Sequence, residues 1–363
     1  MPVYLDGAPS THDRFRPAKN RCGVGAEYRE SSANCIDIGI VNNMPDGARY
    51  ATERQFLTLL DAAAQNLEVR VTFYTLPDLP RSESGRRHVT SFYASLQDLW
   101  GRQLDGLIVT GTEPRAANLR DEPYWASFIK VVEWAENNTH STVWSCLAAH
   151  GAVLHADGIG RRRLSHKRFG LFECARASDH GLMTGIPSSV LMPHSRWNDL
   201  PEGELVKHGY QVLARSAATG VDTFIKQQKK SLFIFFQGHP EYEPNTLVLE
   251  YRRDLGRYLR GETESYPETP EGYFESGCQD ALAALRERAV HDRREDLLGE
   301  FPAALAERSL ANTWSSTATL LYGNWLSYLC ALKAPSFEEM LDRSEVVRSR
   351  ELLLDCGFAA GAD

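Results

Sequence analysis

Ser141-Thr-Val-Trp-Ser-Cys146-Leu-Ala-Ala-His150 reads as a short apolar strand that stops at a cysteine and passes at once into a helix opening on Leu-Ala-Ala. A thiol at such a corner is lifted out of the sheet and faces a helix N-terminus, whose unbonded N–H groups favour an anionic nucleophile. Ser231-Leu-Phe-Ile-Phe-Phe-Gln-Gly-His239-Pro-Glu241-Tyr242 has the matching form, an apolar run ending in a turn that carries a histidine and a carboxylate two residues apart. A nucleophile, a base and a group that orients the base, each at a strand end, define a Cys146–His239–Glu241 hypothesis. Plainer readings stand beside it. A lone cysteine is commonly a buried structural thiol, and a histidine beside proline in a turn is often only a surface feature. The combination weighs more than its parts, because the thiol needs a base and the imidazole needs a carboxylate to hold its tautomer.

Working outward, Ile36-Asp-Ile-Gly-Ile-Val41 is a β-rich run closed by the turn residues Asn42 to Gly47. Tyr50 to Asn66 has apolar residues at helical spacing, and Leu67 to Tyr74 alternates as a strand. A Pro/Ser/Arg-rich loop, Pro77 to Arg87, precedes a helix expected over 91–100. Leu104-Asp-Gly-Leu-Ile-Val-Thr110 is a buried strand ending in the turn Gly111-Thr112-Glu113-Pro114-Arg115, and Tyr124 to Asn137 is helical. This alternation predicts an α/β fold, a doubly wound, mostly parallel sheet with helices on both faces. Ligands in such sheets sit at the C-terminal strand ends. Gly111, Cys146 and His239 all fall there.

Leu164 to Ile186 is mixed in pattern; 190–196, 211–215 and 223–226 are strand candidates, and 247–259 is a helix. From Glu262 the character changes to a Pro-rich crossing segment, an Ala/Leu/Arg/Glu-rich helical stretch over 280–308, an apolar stretch over 320–332 expected to pack on the body, and a final helix over 337–354. The expected division is an irregular arm over 1–34, a catalytic domain over 35–262 and a helical extension over 263–363.

At 363 residues, 42% of them apolar and 24% charged, the chain can bury a large core as an ordinary globular protein. A net charge of −8 gives no electrostatic footprint for nucleic acid. No apolar run approaches the roughly 18–20 residues of a membrane span, and the N-terminus lacks the pattern of a signal peptide, so the expectation is a cytoplasmic protein with no membrane partner. Seven widely spaced cysteines with no CxxC pair suggest neither a disulfide framework nor a zinc site. HExxH, P-loop and GxGxxG motifs are absent.

An acyl-transfer site needs two donors aimed at the developing oxyanion. The backbone N–H of Leu147, just after the nucleophile, is one candidate, and a turn N–H from Gly111 or Thr112 is the other. His150, His155, His166 and His194 read as packing or hydrogen-bonding residues, and no metal is expected. Arg161-Arg-Arg163 reads as a solvated turn, with contact to the phosphates of a nucleotide-like donor as the alternative.

Several stretches, in order, then match a known pattern: Asn43-Met-Pro45 with Thr52-Glu53, Asp105 to Gly111, Tyr124-Trp125, Ser145-Cys146, Lys167 with Phe169-Gly170, Pro193-His-Ser-Arg196, His239-Pro-Glu-Tyr242, Thr246-Leu247 with Glu250-Tyr251 and Arg253-Asp254, and Asn324-Trp325-Leu326. From about Ile36 to Leu332 the chain resembles the homoserine O-succinyltransferase family of homoserine O-acyltransferases, which have a glutamine-amidotransferase-like (flavodoxin-like) fold. The resemblance implies a homodimeric enzyme of methionine biosynthesis that binds no resident cofactor and uses acyl-CoA, either succinyl-CoA or acetyl-CoA, as co-substrate. It implies ping-pong transfer, with Cys146 carrying the acyl group as a thioester, His239 as general base and Glu241 orienting it. Positions matching Lys167, Ser195 and Arg253 contact the amino-acid acceptor, L-homoserine or a relative such as L-serine. A guanidinium fork suits an α-carboxylate, although an ordinary helix ion pair would equally explain Arg253.

Three departures from the family pattern stand out. Asp46 and Gly47 replace two lysines after Met44-Pro45, with Arg49 the nearest substitute cation. Arg115 occupies the position where the family carries glycine for succinyl or glutamate for acetyl donors; its charge is expected to pair with a succinyl carboxylate. Trp314-Ser-Ser-Thr317 replaces Trp-Arg-Ser-His, and a helical insert spans 277–309. The competing classes are a hydrolase or amidotransferase using the same three residues, and a non-enzymatic binding protein with an inert Cys146.

Overall fold

The computed structural model describes residues 3–6, 16–17, 35–301 and 313–333. In chain order its elements are β1 (Val3–Leu5), β2 (Arg16–Pro17), β3 (Cys35–Val41), α1 (Asp46–Ala63), β4 (Glu68–Tyr74), α2 (Glu83–Phe92), α3 (Leu96–Trp100), β5 (Leu104–Val109), α4 (Trp125–Asn138), β6 (Thr139–Ser145) and α5 (Leu147–Asp157). There follow β7 (Arg162–Arg176), β8 (Ser189–Asp199), α6 (Glu202–Lys207), β9 (Gln211–Ser216), β10 (Gly220–Gln228), β11 (Ser231–Phe236), α7 (Thr246–Leu259), α8 (Ser276–His291) and α9 (Ser315–Lys333). Among the described residues the strands form one sheet in the order β2-β1-β4-β3-β5-β6-β11-β10-β9-β7-β8. The run from β2 to β11 is parallel, and the rest is antiparallel. The fold is thus the expected doubly wound, mostly parallel α/β sheet.

The central strands are buried almost throughout because both faces are covered. On one face Ile36, Ile38 and Ile40 of β3 meet Phe56 and Leu60 of α1 and Trp325 and Leu329 of α9. On the other, Leu107 of β5 and Trp144 of β6 meet Phe128 and Val132 of α4 and Ala149 and Val153 of α5. The 320–332 stretch therefore does pack on the body. Gly106 makes the close approach possible: a Cβ there would stand 2.8 Å from the Trp325 ring and 2.9 Å from Leu329. A third cluster joins α7, α8, the 3-10 turn Glu295–Glu300 and Trp314.

Some local expectations change. Val3–Leu5, expected to be irregular, pairs in parallel with β4. The helix expected over 91–100 is two helices, each with its own serine cap: Ser82 accepts from Gly85 N at 3.1 Å, and Ser95 forms a capping box with Asp98. The first cap converts the second half of the polar loop 77–87 into the start of α2. The mixed stretch after Leu164 belongs as far as Arg176 to the long strand β7; of 280–308, the described part to 301 resolves into α8 and the 3-10 turn, and 302–308 lie outside the described residues. The helix expected over 337–354 lies outside the described residues.

Candidate active site

Three adjacent strands, β5, β6 and β11, end side by side. Phe236 pairs with Ser145, and the Cys146 N–H closes the ladder onto Phe236 O at 2.7 Å, so the residues after β6 and β11 leave the sheet at one level. Cys146 alone makes the corner: β6 ends at Ser145 and α5 begins at Leu147, leaving the cysteine at φ +51°, ψ −112°. That left-handed backbone is costly for a residue with a Cβ, about 1–3 kcal/mol, and it projects the thiol over the strand ends. Cys146 remains partly accessible.

His239 Nδ1 lies 2.9 Å from Glu241 Oε1, and the Cys146 sulfur is near enough to the imidazole to act on it electrostatically. The structure thus brings Cys146, His239 and Glu241 together at the ends of adjacent strands. The same Glu241 oxygen accepts from Ser145 Oγ at 3.3 Å. Burial pulls the imidazole toward its neutral form, but the Glu241 and Cys146 charges outweigh it and hold His239 well above the usual histidine range. The His239 backbone is pinned by its N–H to Pro193 O at 2.8 Å, and the preceding Gly238 N donates to Asp222 Oδ1 at 3.2 Å.

Leu147 opens α5, so its N–H has no intrahelical acceptor. The turn after β5 lies against it: a Cβ on Gly111 would stand 2.8 Å from Leu147 Cβ and 3.0 Å from Leu147 N. Gly111, Thr112 and Leu147 line a small open cleft, together with Asn43, Tyr124 and Trp125. Asn43 fixes the rim, its N–H donating to Thr110 Oγ1 at 2.8 Å and its Nδ2 to Thr110 O at 3.1 Å.

Lys167, Ser195 and Arg253 gather on the other side, around two carboxylates of α7. Ser195 Oγ donates to Glu250 Oε2 at 2.5 Å; Lys167 Nζ lies 3.1 Å from Asp254 Oδ2 and 3.8 Å from Glu250. Arg253, half-exposed, pairs with its neighbour Asp254 at 2.8 Å rather than with Glu250. Sequence reasoning placed no role on Tyr242, which stacks on His239 and donates to Glu250.

The cation against Met44 is Arg81 rather than Arg49: Arg81 donates to Met44 O, while Arg49 is turned to Asp46 and Glu53. Arg115 has an exposed side chain, and its backbone N–H donates to Glu122 Oε1 at 2.6 Å. His150 is buried against Gln237, and burial together with Arg196 pushes it down to about 3. Cys174, His194 and Asp222 bring three possible metal-ligating atoms within 4.8 Å of one another. Arg196 Nε donates to His194 Nδ1 at 3.3 Å, which leaves Nε2 as the protonated nitrogen facing Asp222 at 3.3 Å. His194 Nε2 is thus within contact distance of Asp222 but makes no hydrogen bond among the described residues. Among the described residues no helix is long and apolar enough to cross a membrane.

A mostly parallel α/β sheet that brings a thiol, an imidazole and a carboxylate to adjacent strand ends is a framework able to support group transfer. The family model for homoserine O-succinyltransferase matches residues 25–336. The chain is 46% identical over 303 residues to a homoserine O-succinyltransferase of Rhodopseudomonas palustris, covering 84% of this chain and 91% of the relative. It is 44% identical over 330 residues to one from Bradyrhizobium japonicum, covering 91% and 99%. A glutamine amidotransferase structure from Thermotoga maritima aligns over 81% of this chain and 98% of its own, at 10% identity and a TM-score of 0.47. The chain belongs to the homoserine O-succinyltransferase family, and with it to the acyltransferases.

Proposed function

We propose that the chain transfers an acyl group from acyl-CoA to the hydroxyl of L-homoserine by a ping-pong route through a thioester on Cys146. The observation that carries this is the convergence of Cys146, His239 and Glu241 at the mouths of adjacent strands, with His239 Nδ1 2.9 Å from Glu241 Oε1. His239 holds the proton taken from the thiol, so that sulfur attacks the thioester carbonyl as a thiolate, and the Leu147 N–H with that of Gly111 or Thr112 stabilises the oxyanion. Collapse forms the Cys146 thioester and releases coenzyme A, which leaves with the proton. His239 then takes the acceptor hydroxyl proton as that oxygen attacks the acyl-cysteine, and returns it to sulfur as the O-acyl ester departs. Glu241 holds the imidazole in the tautomer that faces sulfur.

Lys167, Ser195, Arg253 and Glu250 form the acceptor side, where an amino acid's carboxylate meets the cations and its ammonium meets Glu250. L-Serine, one methylene shorter, is the alternative acceptor. The loop carrying Arg115 borders the donor side. The reading includes a cytoplasmic homodimer with no bound cofactor, built on a catalytic unit over 35–262 with a helical extension over 263–363. Intact mass spectrometry after mixing with succinyl-CoA or acetyl-CoA tests it. The expected result is a single acyl adduct that acceptor discharges and that Cys146→Ala abolishes. No adduct with any acyl-CoA, or an adduct that survives Cys146→Ala, would overturn it.

A further inference from the structure

Within Arg161-Arg-Arg163 the first residue behaves differently from the others. Arg162 and Arg163 are exposed, and Arg163 sits 4.4 Å from the Trp197 ring centroid. Arg161 is turned inward onto the loop that leaves Gly111: its Nη2 donates to Ala116 O at 3.4 Å and Ala117 O at 3.2 Å. Its Nη1 is buried and finds no acceptor among the described residues. Two more buried polar atoms nearby also have no partner, the Tyr124 hydroxyl and Glu122 Oε2. Tyr124, Glu122 and the Cys146 sulfur are all close enough to act on the guanidinium electrostatically. Tyr124 lines the same cleft as Gly111, Thr112 and Leu147.

Native interiors leave few buried polar groups unsatisfied, and a cluster of them calls for an explanation. A ligand carboxylate would supply the acceptor that Arg161 Nη1 and the Tyr124 hydroxyl lack, in the charge-assisted geometry a guanidinium favours. A succinyl group has such a carboxylate two methylenes beyond its thioester carbonyl; an acetyl group has none. The other oxygen of Glu122 is held by the N–H groups of Arg115 and Ala116 at 2.6 and 2.7 Å, so this carboxylate anchors the loop. Its free oxygen opposes a second carboxylate, and the guanidinium offsets that charge. Arg115 has only its backbone in this corner.

We propose that Arg161, with the Tyr124 hydroxyl, receives the free carboxylate of a succinyl group carried on Cys146 and so sets the preference for a dicarboxylic acyl donor. This rests on the acyl-cysteine reading above. The test measures kcat/KM for succinyl-CoA and acetyl-CoA in Arg161→Leu, Arg161→Gln and Arg115→Ala, with intact mass spectra of each acyl-enzyme. The succinyl-to-acetyl ratio should fall roughly 10- to 100-fold in Arg161→Leu, the range expected for loss of a charge-assisted hydrogen bond. Arg161→Gln, which keeps donors for Ala116 and Ala117 but not the charge, should show the same fall and decides the matter if the leucine variant does not fold. An unchanged ratio in a folded Arg161 variant that still loads acyl groups on Cys146 would overturn the assignment and leave the acyl-cysteine standing. A fall confined to Arg115→Ala would also overturn it. Failure of the unaltered chain to load any acyl group would instead remove the parent reading.

Discussion

The phenol of Tyr242 lies flat against the imidazole of His239, with ring centroids 4.2 Å apart and planes 16° from parallel. Its hydroxyl donates to Glu250 Oε1 at 2.5 Å, and the other oxygen of that carboxylate accepts from Ser195. One side chain therefore touches both the proposed base and the proposed acceptor corner.

Tyr242→Phe separates those two contacts. The ring keeps its stack, so acyl loading of Cys146 should proceed at close to its usual rate. Glu250 loses one of its donors, and the acceptor KM should rise roughly 10- to 100-fold, the scale of one hydrogen bond to a charged group. Single-turnover loading and acceptor-dependent discharge, measured separately, check this. Equal losses in both steps would show that the hydroxyl serves the base rather than the acceptor.

The electrostatics of His239 predict a direction with pH. Burial alone would lower its pKa, but Glu241 and Cys146 raise it well above the ordinary value. The folded chain therefore holds this proton more tightly than the unfolded chain does. The stabilisation this gives is complete below about pH 6.5, the unfolded value, and is lost as pH rises through the folded pKa. Glu241→Gln removes the largest opposing charge, so burial prevails and the imidazole should titrate at lower pH. NMR titration of labelled histidine would show this; a His239 resonance that titrates where it did before would mean that Glu241 does not govern the proton.

Gly111 has no room for a side chain. Alanine there would place a methyl 2.8 Å from Leu147 Cβ and 3.0 Å from Leu147 N, so the turn or the first residue of α5 must move. If those two backbones frame the oxyanion, Gly111→Ala should lower kcat by about 10²- to 10³-fold. Steady-state rates together with a thermal melt would test this. A well-folded variant of nearly normal kcat would place the oxyanion donors elsewhere.

The parts of the fold that were legible in the sequence are those buried on both faces. β3, β5, β6 and β11 are fully or almost fully buried, and each reads as a short β-rich run with apolar residues at or near its end, which is why their ends, and with them Cys146 and His239, could be placed. β7 was not legible, because its first half, including Arg162, Arg163 and His166, is exposed or only partly buried and leaves no apolar period to detect. The acidic corner carried a usable signal: Glu250 and Asp254 are four apart and share one face of α7. The inward turn of Arg161 and the arrival of Arg81 at Met44 carried none, since each depends on which loop lies opposite in space. Arg161 differs from Arg162 only in its surroundings.

Lys333 ends α9 beneath the sheet, where its ammonium lies 2.7 Å from Asp105 Oδ2, 2.7 Å from Cys35 O and 3.9 Å from Asp37. Both aspartates are buried at the starts of β3 and β5, and Asp105 also accepts from Asp37 N at 2.7 Å. Burial raises the Asp37 pKa, and Lys333 is among the charges that oppose this. Removing one partner of a buried ion pair leaves an uncompensated charge, a loss of about 3–5 kcal/mol. Lys333→Met should therefore destabilise the fold by about that much in urea denaturation, while Lys333→Arg, which keeps the charge, should cost less. Because the pair lies at the opposite end of the strands from Cys146, the folded Lys333→Met protein should still load acyl groups on that sulfur. A melt indistinguishable from the unaltered chain would show that α9 is held by its apolar face alone, through Trp325 and Leu329 against Gly106.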